Sequence, residues 1–181
     1  MFYNEKNSGK GGEAMRGRPV SCCFTGHRPA KLPWRSNEND PRCLRLKERL
    51  REVVKRVTED GYTHFICGMA EGCDLYCAEA VLALRERRGG VTLEAAIPCP
   101  TQPDGWSAAQ RERYRRILAQ CDYETLVQES YTWDCMQRRN RYMVDHASLL
   151  IALHDGLPGG TRNTIEYALR RGVDIIDIPI E

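Results

Sequence analysis

The sequence lacks the long apolar runs of membrane and secreted proteins. None of its hydrophobic segments approaches the roughly 20 residues that a membrane span requires, and its N-terminus has no apolar core like that of a signal peptide. Neither sign of charge predominates, because 27 lysines and arginines balance 25 aspartates and glutamates to a formal net charge of only +2. This balance gives no reason to expect a nucleic-acid or membrane surface. We therefore expect a cytoplasmic protein without a membrane partner.

Paired metal-ligand motifs are missing as well. The nine cysteines are an odd number, and they occur in apolar segments such as SCCF, FICG and IPCP instead of CxxC pairs. Structural zinc sites usually show paired ligands at short spacing. We therefore predict no metal site and interpret the cysteines as reduced thiols of the core.

What the sequence does contain is an alternation of short apolar runs and amphipathic stretches. Residues 1–17 are polar and glycine-rich, so we expect a disordered lead-in, with Met15 as the natural start, and a single domain over 18–181. Strands are predicted for VSCCFTG, YTHFICG, VTLEAAIP, YETLVQ, SLLIALHDG and DIIDIPI. Helices are predicted at about 41–60, 73–88, 106–120, 134–146 and 161–172.

This alternation is typical of a doubly wound α/β protein. Right-handed crossovers place helices on both faces of a parallel sheet. We therefore predict a Rossmann-like fold, with a mostly parallel sheet of about six strands. Ligands of such folds bind at the carboxyl ends of the strands, so the loops that follow the strands should carry the site.

The loop after the first predicted strand begins with a glycine and two polar residues. Gly26 permits a sharp turn, and His27 and Arg28 project from the strand end. Arg28 is suited to hold a phosphate in a bidentate contact. The alternative is a simple turn with a solvated arginine.

The loop after the second strand, GMAEGCD, has two glycines spaced so that the backbone can approach an anion at a helix start. Candidate ligand-binding residues in this loop are Gly68, Met69, Gly72 and Asp74. Asp74 is equally suited to cap the helix. After the third strand, Gln102 and Trp106 are candidates to contact a base or sugar, although Trp106 is equally suited to anchor the following helix.

The run from 131 to 168 joins a basic helix, a buried strand and a glycine-rich turn. The turn GGTRNT predicts a phosphate cradle, because Gly159 and Gly160 allow close approach and Thr161 presents a backbone N–H. Thr164 lies in the following helix and is a further candidate for ligand binding.

The basic helix adds Arg139 and Asn140 as candidate ligand-binding residues. They precede a strand that leads to the same end of the sheet. The alternative is that the basic residues lie on a solvated helix face. Spacing leaves open which of Arg28, Arg138 and Arg139 reaches a ligand, because rotating the helix by one residue exchanges the last two.

Five blocks of the sequence resemble, in order and spacing, the YspA-like branch of the SLOG superfamily: CCFTGHRPAKLPW, GMAEGCDLYCAEAVL, AIPCPTQPDGW, RRNRYMVDHASLLIALHDG and GGTRNTIEYA. The resemblance covers about residues 19–179. It implies a Rossmann-like fold that binds a nucleotide or nucleotide-derived ligand, such as AMP, ADP-ribose or an NAD-derived molecule, without another cofactor. The resemblance implies a sensor or regulatory module whose partners include a second copy of the chain, in a homo-oligomer, or another protein.

The superfamily also includes the LOG phosphoribohydrolases, which cleave a nucleoside monophosphate as N-glycosidases. The resemblance of MQRRN to a LOG segment implies a catalytic arginine at Arg139. The LOG signature PGGxGTxxE ends in a glutamate, whose position we assign to Thr164, with Glu166 as a substitute two residues further on. Arg139 and Glu166 are thus the catalytic candidates of this alternative, whereas the first hypothesis requires no enzyme activity.

A third hypothesis comes from DprA, the DNA-processing member of the superfamily. Single-stranded DNA binding predicts a basic stripe, for which RERYRR at 111–116 and RRNR at 138–141 are the candidates. We rank nucleic acid last among the partners.

Overall fold

Six strands and five α-helices alternate along residues 20–181, the part of the chain that a computed structural model describes. The strands are β1 (Ser21–Gly26), β2 (His64–Cys67), β3 (Thr92–Ile97), β4 (Tyr123–Leu126), β5 (Leu149–His154) and β6 (Asp174–Pro179). The helices are α1 (Pro41–Glu59), α2 (Cys73–Arg88), α3 (Ala108–Leu118), α4 (Cys135–Asp145) and α5 (Gly160–Arg171), and a 3-10 turn spans Pro29–Lys31. The predicted lead-in over 1–17 lies outside the described residues.

The strands form one sheet in the order β4-β3-β2-β1-β5-β6, and each neighbouring pair is parallel. The predicted doubly wound fold is therefore confirmed. The direction of winding reverses between β1 and β5, which pair from Cys22 with Leu149 to Gly26 with Leu153. A crevice opens at such a reversal, beyond the carboxyl ends of the two strands.

The sheet is covered on both faces because alternate side chains of each strand point to opposite sides. Cys22 and Phe24 of β1 pack into a core with α1, α2 and α3, whereas Cys23 packs with residues of α4 and α5. Burial on both faces explains why the inner strands β1, β2, β3 and β5 appear in the sequence as nearly continuous apolar runs, whereas the edge strands β4 and β6 are largely exposed. All nine cysteines are free thiols, and all except Cys121 are buried.

The helices differ in how their N-termini are capped. The side chain of Asp40 caps α1, and that of Ser107 caps α3. By contrast, α2 and α5 follow Gly72 and Gly159, neither of which has a side chain that could cap the helix. Asp74 lies inside the first turn of α2, so its predicted alternative role as N-cap is wrong.

An ion-pair network ties the loop after β1 to α2 and α3. Arg113 of α3 donates to Glu79 of α2 at 2.6 and 2.7 Å and to Glu38 of the loop at 2.5 Å. Glu38 also accepts from Lys47 of α1 at 2.5 Å. Burial raises the pKa of Glu38, but the hydrogen bonds from Arg113 and Lys47 outweigh burial and lower it. Arg113, from the predicted basic stripe RERYRR, is therefore engaged within the protein.

A second buried network anchors α4 on the sheet. Glu94 of β3 contacts His64 Nε2 at 2.9 Å, and its other oxygen accepts from Tyr142 and Thr125 at 2.7 Å each. Burial by itself raises the pKa of Glu94, but these hydrogen bonds outweigh it and hold the pKa at about 2. The carboxylate thereby fixes the helix that carries Arg139.

Within residues 20–181, no helix has the length and apolar character required to cross a membrane.

Candidate functional site

The loops after β1 and β5 meet at the reversal of the sheet through one buried histidine. His27 Nε2 lies 2.8 Å from Asp155 Oδ1, and His27 Nδ1 lies 3.1 Å from Thr161 Oγ1. The hydrogen bond from His27 lowers the pKa of Asp155. His27 is only 3% exposed, so this predicted ligand-binding residue reaches the crevice through Thr161 instead of directly.

The N-terminus of α5 forms one wall of the crevice. Gly159 has φ +155°, and a Cβ at this position would overlap Lys31 Nζ, which donates to the Pro158 carbonyl at 3.1 Å. The first helical hydrogen bond of α5 runs from Asn163 N to Gly159 O at 2.9 Å. The N–H groups before Asn163 therefore have no acceptor within the helix, which is the arrangement expected of an anion site.

The N-terminus of α2 faces the same crevice, but the two glycines beside it, Gly26 at the end of β1 and Gly72 before α2, have packing roles. A Cβ at Gly26 would overlap the Cβ of Cys73, the first residue of α2. A Cβ at Gly72 would lie 2.7 Å from the His27 carbonyl oxygen, which accepts from Cys73 N at 3.1 Å. Met69 is fully buried, so only its backbone is available to a ligand.

The floor of the crevice is built on the Gly68 carbonyl oxygen. This oxygen accepts hydrogen bonds from Arg139 Nη1 and from Gln102 Nε2, the latter at 3.1 Å. Arg139 Nη1 also lies 3.7 Å from Asp74 Oδ2, which accepts from Ala70 N at 3.2 Å. A Cβ at Gly68 would overlap the guanidinium group of Arg139. Arg139 and Asp74 are thus a buried pair that holds the loop after β2.

Burial works against both charges of this pair. It raises the pKa of Asp74, and Arg139 opposes the rise. It lowers the pKa of Arg139, and Asp74 opposes that change. An arginine nevertheless stays protonated at neutral pH, so the floor of the crevice carries the positive charge of Arg139. This charge favours the ionised form of the Asp74 carboxyl group beside it.

The three candidate arginines have different environments. Arg139 points inward and is buried, whereas Arg138 is exposed and pairs with Asp134 at 2.7 Å. The side chain of Arg28 is exposed and makes no hydrogen bond or ion pair with other residues in 20–181. Burial raises the pKa of Glu71 and of Asp74, and the charge of Arg28 opposes both rises. Arg28 is therefore the arginine with donors available at the mouth of the crevice.

A polar cleft of about 230 Å³ runs between α4 and α5 from Gly160 outward. Asn140 stands at its head, where it accepts from Arg139 Nε and donates to Thr164 Oγ1, both at 2.9 Å. Thr164 in turn donates to the Gly160 carbonyl at 2.9 Å. The lining residues are Gln137, Asn140, Arg141, Gly160, Asn163, Thr164, Glu166, Tyr167 and Arg170.

Glu166 also lines this cleft and pairs with Arg162 at 3.0 Å. Counted from Pro158, the LOG signature PGGxGTxxE places its glutamate on Glu166, so the assignment to Thr164 is two residues short. Arg139 does not line the cleft. The two catalytic candidates therefore lie on different sides of Asn140.

Sequence reasoning missed the contacts that join these loops. His27 is separated from Asp155 by 128 residues and from Thr161 by 134, and no local pattern signals such pairing.

Trp106 packs edge-on against Tyr114 of α3, with 5.6 Å between the ring centroids, which favours its predicted role as an anchor of that helix. Among residues 20–181, no group of three histidine, cysteine, aspartate or glutamate side chains is arranged to hold a metal.

Comparisons with known proteins agree with this architecture. The chain is 32% identical over 142 residues to the SPbeta prophage-derived protein YoqJ of Bacillus subtilis, covering 71% of this chain and 83% of YoqJ. It is 26% identical over 162 residues to a UPF0398 protein of Bacillus pumilus, covering 86% and 83% of the two chains.

A solved structure of DNA processing protein A from Helicobacter pylori, described with its single-stranded DNA binding mode, has the same fold. It superposes with a TM-score of 0.61 at 16% identity, covering 91% of this chain and 67% of that one. The model of the YspA SLOG family matches residues 22–171, which include the crevice, both glycine-rich loops and the helix that carries Arg139. The chain therefore belongs to the YspA SLOG family.

Proposed function

We propose that the protein binds a nucleotide or nucleotide-derived ligand, with a phosphate group at the N-terminus of α5. The observation that carries the proposal is the contrast between the helix starts. α1 and α3 are capped by the side chains of Asp40 and Ser107, whereas α5 begins at Gly159 without a side-chain cap. α2 and α4 also lack side-chain caps, but the first N–H of α2, that of Cys73, already donates to the His27 carbonyl. Uncapped N–H groups and the helix dipole both favour an anion.

The charges around the crevice support an anionic ligand. Arg28 has donors free, and Lys31 lies beside Gly159. Of the acidic groups at the crevice, Asp155 is bonded to His27 and Asp74 is paired with Arg139. An arginine side chain can hold a phosphate through two parallel hydrogen bonds, so Arg28 is suited to close over a phosphate that the α5 backbone holds from below.

The cleft between α4 and α5 is a suitable place for the rest of the ligand. It opens at Gly160, next to the proposed phosphate position, and is lined by amide and charged side chains. Its volume of about 230 Å³ is below the roughly 300–1,000 Å³ of pockets for drug-sized ligands. A single nucleoside is therefore a better match for the cleft than a complete dinucleotide.

The Gly160→Ala variant tests the proposal. A Cβ at Gly160 meets no atom within 4 Å, and alanine is a better helix former than glycine, so the free protein should lose no stability. The added methyl group would occupy space at the phosphate position and should weaken binding about tenfold, or roughly 1.4 kcal/mol. The measurement is a thermal-shift and calorimetric panel with AMP, ADP-ribose and NAD.

Gly105→Ala is the matched control, since a Cβ at Gly105 also meets nothing within 4 Å but lies in the loop before α3. It should bind ligand as the wild type does. A wild-type protein that none of the nucleotides stabilises, or a Gly160→Ala protein with unchanged affinity, would contradict the proposed phosphate position.

A phosphoribohydrolase is the second candidate function, and the position of Glu166 favours it. This carboxylate coincides with the glutamate of the LOG signature and lines the cleft next to Asn140 and Thr164. If the protein is such an enzyme, AMP should yield free adenine by chromatography, and Glu166→Gln should lower the rate at least about a hundredfold, the typical contribution of acid–base catalysis. AMP binding without adenine release would instead support the sensor.

Single-stranded DNA binding receives less support from the described side chains. Of the predicted basic segments, Arg113 is held by Glu38 and Glu79, Arg139 is buried, and Arg138 pairs with Asp134. A phosphate backbone needs several accessible cationic side chains in line. These residues do not provide a continuous stripe.

A further inference from the structure

The buried imidazole of His27 connects a carboxylate with the threonine that stands in the proposed phosphate cradle. Both of its ring nitrogens are used: Nε2 faces Asp155 Oδ1 at 2.8 Å, and Nδ1 faces Thr161 Oγ1 at 3.1 Å. Thr161 belongs to the first turn of α5, whose backbone N–H groups have no helical acceptor. His27 therefore controls a hydroxyl group at the position where an anion would bind.

The protonation state of His27 determines which way this hydroxyl can donate. A neutral imidazole that donates from Nε2 to Asp155 has Nδ1 as an acceptor, so the Thr161 O–H must donate inward to it. A protonated imidazole donates from both nitrogens. Thr161 Oγ1 then accepts from Nδ1, and its own proton is free to turn outward to a ligand oxygen.

We propose that His27 is a positioning residue that couples ligand binding to proton uptake. Its protonation converts Thr161 into a hydrogen-bond donor to the ligand phosphate, so the anion binds together with a proton. The inference rests on the proposed function, because it describes how the same phosphate site is regulated. Conversely, a phosphate bound at α5 stabilises the charged imidazole, as linkage requires.

The charged groups around His27 come from each element packed on it. Asp155, from the loop after β5, favours the protonated ring. Arg28 and Lys31 are the cations of its own loop, and Lys31 Nζ lies at the Pro158 carbonyl beside Gly159, next to the proposed phosphate position. From α2, Cys73 contacts the His27 carbonyl, and Asp74 is paired with Arg139. Added negative charge at the phosphate position is thus placed to change the ionisation of His27.

The test uses ADP-ribose as the probe, because its pyrophosphate diester keeps a constant charge over the range of about pH 5 to 8 in which histidine titrates. Calorimetry should show that affinity at about pH 5.5 is roughly tenfold higher than at about pH 8, because the ligand binds together with a proton. Titrations in buffers with different ionisation enthalpies should show proton uptake. Affinity falls as pH rises because the bound form holds one more proton than the free protein.

Three variants separate this role from a merely structural one. His27→Gln keeps hydrogen-bonding groups but does not titrate, so its affinity should not change with pH and its proton uptake should disappear. Thr161→Val should remove the gain in affinity at low pH, and Thr161→Ser should retain it. Asp155→Asn should move the pH profile to lower pH, because the imidazole loses its anionic partner.

The outcomes distinguish the two levels of the proposal. Binding of ADP-ribose with equal affinity across this pH range and no proton uptake would overturn the inference and leave the proposed function intact. No binding at any pH would overturn both for this ligand. The inference stays falsifiable even if His27→Gln fails to fold, because equal wild-type affinity across this pH range overturns it and Asp155→Asn and Thr161→Val still test the role of His27.

Discussion

Replacing Arg139 with methionine should lower the free energy of unfolding by roughly 3–5 kcal/mol, the usual cost of leaving one member of a buried ion pair without its partner. Methionine retains much of the side-chain volume but removes the donor to the Gly68 carbonyl and the charge beside Asp74. Asp74 is only 6% exposed, so water cannot replace the lost partner. Urea denaturation followed by circular dichroism measures the change.

The neighbouring residue provides the matched control. Arg138→Met makes the same chemical change one position earlier, on an exposed side chain that pairs with Asp134, and should cost no more than about 0.5 kcal/mol. The double variant Asp74→Asn with Arg139→Met should be more stable than Arg139→Met alone, because a neutral amide is easier to bury than an unpaired carboxylate. Equal losses for the two single arginine variants would show that the buried pair does not hold the loop after β2.

The fold was predictable because its signals are local. Most strands are short apolar runs that end near a glycine, proline or polar residue, and each helix start and end lies within about two residues of its prediction. The predicted 106–120 helix is shortened to Ala108–Leu118 because Ser107 caps its first turn. The order of strands in the sheet, which places β1 against β5, depends on contacts between distant segments that no local pattern contains.

The position of the candidate site follows from the fold, but the contacts within it could not be predicted. The rule for doubly wound sheets directs attention to the strand ends, where His27 contacts Thr161 and Arg139 contacts the Gly68 carbonyl. Periodicity did not decide between Arg138 and Arg139, because adjacent helix positions differ by about 100° and both flank apolar residues. The inward direction of Arg139 is fixed by the Gly68 carbonyl and Asp74, which come from the β2 loop.

Glycine has two structural roles in these loops, and the sequence does not distinguish them. At Gly160 there is open space around the Cβ position, as expected where a ligand approaches. At Gly26 the space is filled by Cys73 and Leu153, so the absent side chain serves packing between β1 and α2. The presence of a glycine at a strand end therefore predicts close approach, but the approaching group can be the protein itself.

Gly26→Ala should consequently destabilise the protein by about 3 kcal/mol, the upper part of the range for overpacked cores. The obstruction is the Cβ of Cys73, which no side-chain rotation can move, and the Leu153 Cβ lies 3.3 Å away on the other side. Relief requires α2 to shift away from β1, which would break the 3.1 Å hydrogen bond from Cys73 N to the His27 carbonyl. Thermal and urea unfolding measure the loss.

A second substitution shows whether this particular contact is the cause. Cys73→Gly removes the obstructing Cβ, so adding it to Gly26→Ala should recover part of the stability even though Cys73→Gly alone is destabilising. Gly105→Ala, which meets nothing within 4 Å, should change stability by less than about 0.5 kcal/mol. Strictly additive losses for Gly26→Ala and Cys73→Gly would mean that the two positions do not interact. In that case the close packing of α2 against β1 could not be the reason for glycine at position 26, and a role in ligand approach would become the better explanation.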